Sequence, residues 1–312
     1  MKRLTISILI LVAILAIWII QSNWEKNRIS VKVTENFLNL DSEQIDKVAI
    51  YSQSDTIVVF NNNGYWFVED TIPRKADNQV IGNMIDKSSE ITVESIISQN
   101  PDRQAEFEVD STGGIFVEFW GGEKLLGSVF VGKMTSGYTH TYIRKPNSKD
   151  VYLSTGPLSY IFNRPLTGWL DKNIISIQSG NIESVEFVYP NYTFKLIRQD
   201  SLWAISKPPY KNFEIADDLR VEPTINQIIS LTATDFENAS DSGLVNFNNP
   251  SLTLNISLLS GATETVTFGA INEEETRRYC RKKGVSETYV IMRSRLETVY
   301  KDYSDFIAPM GE

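Results

Sequence analysis

The chain has 312 residues, 42% of them hydrophobic and 11% aromatic, which is enough to bury two cores of ordinary size and excludes a disordered chain. Its formal net charge of −9 disfavours nucleic acid and anionic lipid as partners. The single cysteine, Cys280, excludes an internal disulfide and a cysteine-rich metal site.

Reading from the N-terminus, Lys2 and Arg3 precede a run from Leu4 to Ile20 of 17 uncharged residues, broken only by Thr5 and Ser7. As a helix this run is about 25 Å long at 1.5 Å per residue, near the short limit for crossing a bilayer. Trp18 and Trp24 stand where an indole prefers the lipid–water boundary. The expectation is a cytoplasmic tip at 1–3, a transmembrane anchor at 4–21 and a polar tether at 22–40. Lys2 and Arg3 set the tip inside, so the body would lie in the periplasm on a single-pass inner-membrane anchor. A cleaved signal peptide is the rival reading, opposed by Trp18, Ile19 and Ile20 where a small-x-small cleavage site would fall.

The body opens with short alternating segments at Lys47 to Tyr51, Thr56 to Asn61 and Tyr65 to Glu69, separated by turn formers such as Asn62-Asn63-Gly64. Asp77 follows as the N-cap of a helix with Val80, Ile81, Met84 and Ile85 on one face. After a polar stretch, four more strands are expected at Ile115 to Trp120, Leu125 to Val131, Thr139 to Arg144 and Val151 to Leu153.

The same landmarks then return at a spacing of 137 residues. Ile45-Asp46-Lys47-Val48 matches Ile182-Glu183-Ser184-Val185, Trp66 matches Trp203, Val131-Gly132 matches Phe268-Gly269, and Tyr142 to Arg144 matches Tyr279 to Arg281. Ala76-Asp77 matches Ala216-Asp217 at 140, with Pro223 near the second helix start, and Val151-Tyr152 is aligned with Tyr289-Val290 at 138. The expected fold is therefore α+β: two tandem copies of a mainly antiparallel β unit with an inserted helix, at 41–176 and 177–307, behind one N-terminal transmembrane helix and before a tail at 308–312.

Candidate chemistry is sparse. His140 is the sole histidine and sits in an expected strand where the second copy has Arg277, which marks a solvent-facing site and not a catalytic base. Asp41, Glu43, Asp46 and Glu273 to Glu275 are acidic clusters without a calcium-loop pattern, best read as solvated turns. The basic run Arg277 to Lys283 reads as an exposed, charged hairpin, with docking of an acidic partner as the sharper alternative. Trp66 and Trp203 read as a shared core anchor. No catalytic, cofactor-binding or metal residue is assigned, and a small-molecule ligand is left open.

The Trp-bearing strand followed by Ala-Asp and a helix, together with Gly243-Leu244, Pro250, Gly269 and the Tyr279 to Arg281 strand, resembles the DUF4340 family of bacterial proteins. The first copy departs from that pattern, with Glu106-Phe107 where Gly-Leu is expected. The resemblance implies an N-terminally anchored envelope protein associated with ABC-type transport systems, including gliding-motility-type components, and it carries no catalytic residues. The functional expectation is a non-enzymatic protein-interaction module accessory to an ABC-type transporter. A glycan or small-molecule binder with its groove between the repeats is the alternative, and a carboxylate-dependent hydrolase the third reading.

Overall fold

The computed structural model describes residues 14–17, 36–200, 202–237, 247–269 and 276–308. The chain divides into two compact units, Met1–Asp171 and Lys172–Glu312. Unit 1 contains β1 (Lys47–Tyr51), β2 (Thr56–Asn62), β3 (Tyr65–Val68), β4 (Arg74–Lys75), α1 (Asn78–Ser89), β5 (Val93–Ser98), β6 (Ile115–Gly121), β7 (Lys124–Met134), β8 (His140–Arg144), β9 (Val151–Thr155) and α2 (Leu158–Phe162). Unit 2 contains β10 (Ile182–Val188), β11 (Thr193–Gln199), β12 (Leu202–Ser206), β13 (Glu214–Ile215), α3 (Asp218–Ile229), β14 (Asp235–Glu237), β15 (Leu252–Leu258), β16 (Thr263–Phe268), β17 (Arg277–Lys282), β18 (Thr288–Met292) and α4 (Arg293–Leu296).

Among the described residues each unit builds one nine-stranded antiparallel sheet, in the orders β4-β3-β2-β1-β6-β7-β8-β9-β5 and β13-β12-β11-β10-β15-β16-β17-β18-β14. These are the same order, strand for strand. The register agrees as well: Val48 faces Val59 and Phe119, while Val185 faces Leu196 and Ile256. The 137-residue spacing holds through β3, becomes 140 at β4, α1 and β5, and returns to 137 from β6 onward.

Two sequence expectations are corrected by this register. Ile143 faces Tyr152 and Cys280 faces Tyr289, so Tyr152 corresponds to Tyr289 and the spacing of 137 persists where 138 had been read. The displaced alignment matched residue types in two apolar strands; the hydrogen-bond ladder fixes it, because a one-residue slip would turn every side chain to the other face. Second, α3 begins at Asp218 behind its cap Asp217, which places Pro223 inside the helix and on its exposed side.

Helices α1 and α3 cover one face of their sheets. Asp77 accepts from the Gln79 and Val80 amides, and Asp217 from the Leu219 amide, so each carboxylate caps its helix. Ile81, Met84, Ile85 and Ser88 are buried in α1, and Val221, Thr224, Ile225 and Ile228 in α3, at the same 140 spacing. They pack on the inward residues Val48, Val59, Val117 and Phe119 of the first sheet and Val185, Leu196, Leu254 and Ile256 of the second, all fully buried.

Each unit also begins earlier than composition suggests. The Phe37 amide donates to Ile91 O at 2.8 Å and the Ile174 amide to Leu231 O at 3.1 Å, which are corresponding contacts. Phe37 and Leu40 are buried, so residues 36–40, read from their sequence as the end of a tether, belong to the first unit. Of the segment expected to span a membrane, 4–21, only 14–17 lie within the described residues; they are helical and exposed. Among the described residues no helix is long and apolar enough to cross a membrane.

Trp203 is 1% exposed and its indole N–H donates to Glu222 Oε1 at 2.8 Å. Replacing it with alanine removes the largest side chain of that layer, and Trp203→Ala is expected to destabilise unit 2 by about 3–5 kcal/mol, measured by chemical denaturation.

Candidate functional site

Alternation along the strands sends the remaining side chains of the first sheet to its other face, where they form three rows running across the strands. The first row is Phe67, Phe60, Lys47 and Trp120, on β3, β2, β1 and β6. The third is Tyr51, Phe116, Phe130 and Arg144, on β1, β6, β7 and β8. Between them run Val58, Ala49, Glu118 and Ser128, continued past β3 by Glu69, whose amide donates to Val58 O at 2.8 Å. Two rows of large side chains flanking a row of small ones make a groove. Its cavity of about 440 Å³ is lined by Lys47, Ala49, Tyr51, Val58, Phe60, Glu69, Glu118 and Trp120.

The ridges are held by ring packing between cross-strand neighbours. Ring centroids lie 5.9 Å apart for Phe60–Phe67, 5.9 Å for Tyr51–Phe116 and 4.7 Å for Phe116–Phe130. A cation ends or interrupts each ridge: Lys47 Nζ is 4.9 Å from the Trp120 ring centre and the Arg144 guanidinium 4.4 Å from that of Phe130. Arg144 is buried and donates to the carbonyls of Val109, Lys145, Pro146 and Ser148. Burial draws its pKa down, and Asp110 opposes that shift. Four carbonyls converging on one guanidinium fix the far end of the third ridge.

Electrostatically the groove is governed by two carboxylates. The Tyr51 hydroxyl donates to Glu118 Oε2 at 3.3 Å. Its pKa is raised, first by burial, then by the charge and hydrogen bond of Glu118, then by the charge of Glu69. Neither Glu69 nor Glu118 has an ion-pair partner among the described residues.

The corresponding face of unit 2 is different. Register places Ser184, Glu186 and Val188 where unit 1 has Lys47, Ala49 and Tyr51, and Thr253, Asn255 and Ser257 where it has Phe116, Glu118 and Trp120. These polar groups satisfy one another: Tyr210 Oη donates to Glu186 Oε1 at 2.7 Å, Asn255 Nδ2 to Glu186 Oε2 at 2.9 Å, and Thr265 Oγ1 to Asn255 Oδ1 at 3.0 Å. The fold therefore does not require the aromatic ridges.

Residues singled out from sequence fall elsewhere. Trp66 and Trp203 are buried on β3 and β12. His140 is half-buried, with Nε2 3.2 Å from Glu94 Oε1 and Nδ1 2.7 Å from Thr139 Oγ1. Asp41 caps a short turn, and Asp46 accepts from the Gly122 amide at 2.8 Å; Glu273 to Glu275 and Gly243-Leu244 lie outside the described residues. Among the described residues no group of three or more His, Cys, Asp and Glu is arranged to hold a metal. Phe107, at the departure from the family pattern, is buried against Tyr142.

The basic run was expected to be an exposed hairpin, and the structure corrects this. β17 lies between β16 and β18, Arg278 and Cys280 are buried, and Arg281 Nε donates to Thr288 Oγ1 with its guanidinium 4.3 Å from the Phe247 ring centre. Burial pushes the Cys280 thiol pKa far up, which leaves it inert at neutral pH. Sequence reading missed Tyr51, Phe60, Phe116 and Trp120 as a group. The available signal was that these aromatics have Val188, Ile197, Thr253 and Ser257 at their 137-residue counterparts.

These observations define the class: a duplicated, antiparallel α+β protein in which one copy carries an open aromatic groove. The family model described as "Domain of unknown function (DUF4340)" matches residues 66–250, more than half of the chain, from the tryptophan strand of the first unit to the turn before β15. The chain belongs to the DUF4340 family. No curated protein and no solved structure matches it significantly.

Ionising Tyr51 places an anion beside Glu118. This neutral-phenol contact contributes fully below the ordinary tyrosine pKa of about 10 and is lost as pH rises through the raised folded value. Glu118→Gln removes the charge, so the Tyr51 pKa is expected to move down toward the ordinary value, read by NMR of ring-labelled tyrosine.

Proposed function

We propose that the protein is a non-enzymatic, membrane-anchored binding protein, and that its first unit docks a protein partner in the groove as an accessory to an ABC-type transporter complex. The observation that supports this reading is the divergence of the two sheets. Both copies meet the same folding requirements, yet one keeps its outer face polar and internally bonded while the other carries half-buried aromatic rows around two carboxylates that have no ion-pair partner among the described residues. An exposed apolar surface that stability does not demand is the usual mark of an interaction site. The uncharged run of residues 4–21 supports anchoring of the body to a membrane, with the body on the periplasmic side. The transporter association comes from the family resemblance.

The test uses full-length tagged protein purified from membranes under conditions that preserve complexes. Wild type is expected to bring down transporter subunits. The double variant Phe116→Thr and Trp120→Ser, which copies residues that unit 2 carries at the same positions, is expected to retain its fold and to recover at least tenfold less partner. Recovery of no transporter subunit by wild type would sink the transporter role, and equal recovery by the variant would sink the groove.

A further inference from the structure

We infer that the groove of unit 1 takes a protein segment with two cationic side chains flanking an apolar contact; this rests on the protein-docking reading above. The floor has an apolar middle, Val58 and Ala49, with a carboxylate at either end, Glu69 beyond β3 and Glu118 on β6. Three strand spacings separate the two acidic positions, about 14 Å at 4.8 Å per spacing. An extended segment covers that distance in about four residues at 3.4 Å each.

Charge selects the partner. Among the described residues Lys47 is the one cation lining the groove, and its ammonium is set over the Trp120 ring. Glu69 and Glu118 face the cavity without an ion-pair partner among the described residues, and the sole hydrogen bond between them and the ridges is that from Tyr51 to Glu118, at 3.3 Å. The π faces of rings on both sides are negative, and a guanidinium or ammonium set over one is attracted as well. An arginine or lysine arriving at each end would gain a carboxylate and an aromatic neighbour together, while an apolar side chain between them would cover Ala49 and Val58. An acidic segment would meet two like charges beside an already anionic protein. A neutral glycan would leave both carboxylates without a counter-charge.

The second unit supplies a control. It has Asn255 in place of Glu118 and Glu186 in place of Ala49, and Glu186 already accepts from Tyr210 and Asn255. Among the described residues the corresponding face thus carries no second pair of carboxylates without partners at these positions.

The experiment measures fluorescence anisotropy of labelled peptides with the full chain in nanodiscs of neutral lipid. One peptide has a leucine centred between two arginines four residues apart; its counterpart has glutamates in their place; a labelled cello-oligosaccharide is the third probe. The arginine peptide is expected to bind, at least tenfold more weakly when salt rises from 0.05 to 0.5 M. The glutamate peptide and the oligosaccharide are expected not to bind. Glu69→Gln with Glu118→Asn, the latter copying unit 2, is expected to weaken the arginine peptide at least tenfold. Equal binding of arginine and glutamate peptides, binding of the oligosaccharide instead, or an unchanged affinity in the double variant each overturns the inference. Should purification recover a partner that depends on the groove but lacks any basic segment, this inference fails while the docking function stands. Should no groove-dependent partner exist, the docking function fails first.

Discussion

Everything in either unit depends on how the start of its helix is stitched to the tryptophan strand. In unit 1 the Ala76 amide donates to Trp66 O at 2.9 Å, the Trp66 amide to Asn78 Oδ1 at 3.2 Å, and the Asp77 amide to Trp169 O at 2.9 Å. Unit 2 repeats all three: Ala216 to Trp203 O at 2.9 Å, Trp203 to Asp218 Oδ1 at 3.1 Å, and Asp217 to Phe306 O at 2.8 Å. These bonds tie the edge of the sheet, the helix and the closing turn of the unit to one point. A helix fixed there lays its apolar stripe across the central strands, and burial of that stripe supplies most of the helix's own stability.

That arrangement commits one face of each sheet and leaves the other free. Side chains on the helix face are mainly Val, Ile, Leu and Phe, with Trp66, Trp203 and Cys280 beside them, because they are buried, and the two copies agree there in kind if not in identity. On the opposite face of the first sheet Phe107 packs against Phe130 and Tyr142 at one end, and the alternate residues of the groove answer to solvent or to a partner. The copies differ most there, aromatic in one and hydroxyl- and amide-bearing in the other. Duplication thus separates the two demands: both halves keep the core, and one half is free to change its surface.

Much of the fold was legible. Alternation and turn residues located β1 to β3 and β6 to β9, and Asp77 with Ile81, Met84 and Ile85 located α1. β5 was not legible: Val93–Ser98 carries serine and glutamate and breaks register against β9 twice, so its period is weak, and only pairing shows it. β4 and β13 are two residues each, too short to have a period. Phe37 was hidden for a different reason, since a lone aromatic in a polar stretch acquires meaning only through the Ile91 carbonyl it meets. The groove was illegible because its walls come from six strands whose register sequence does not state. Trp120 and Phe60 lie 60 residues apart and share a row only through Lys47.

The change of spacing from 137 to 140 accounts for how the second sheet fills the place that the groove has in the first. The added residues fall between β12 and β13, in a loop that carries Tyr210. Tyr210 reaches back over the sheet to donate to Glu186, the residue in the place of Ala49, while Lys195 Nζ sits 5.2 Å from the Tyr210 ring centre. Insertion and substitution therefore act together: the longer loop brings a phenol over the floor, and the floor has a carboxylate to receive it. In unit 1 the shorter loop has no tyrosine to lay over the floor and begins with Glu69, a carboxylate at the groove's edge in place of a lid over its middle. One ancestral surface has been closed by its own loop in one copy and left open, with charge at both ends, in the other.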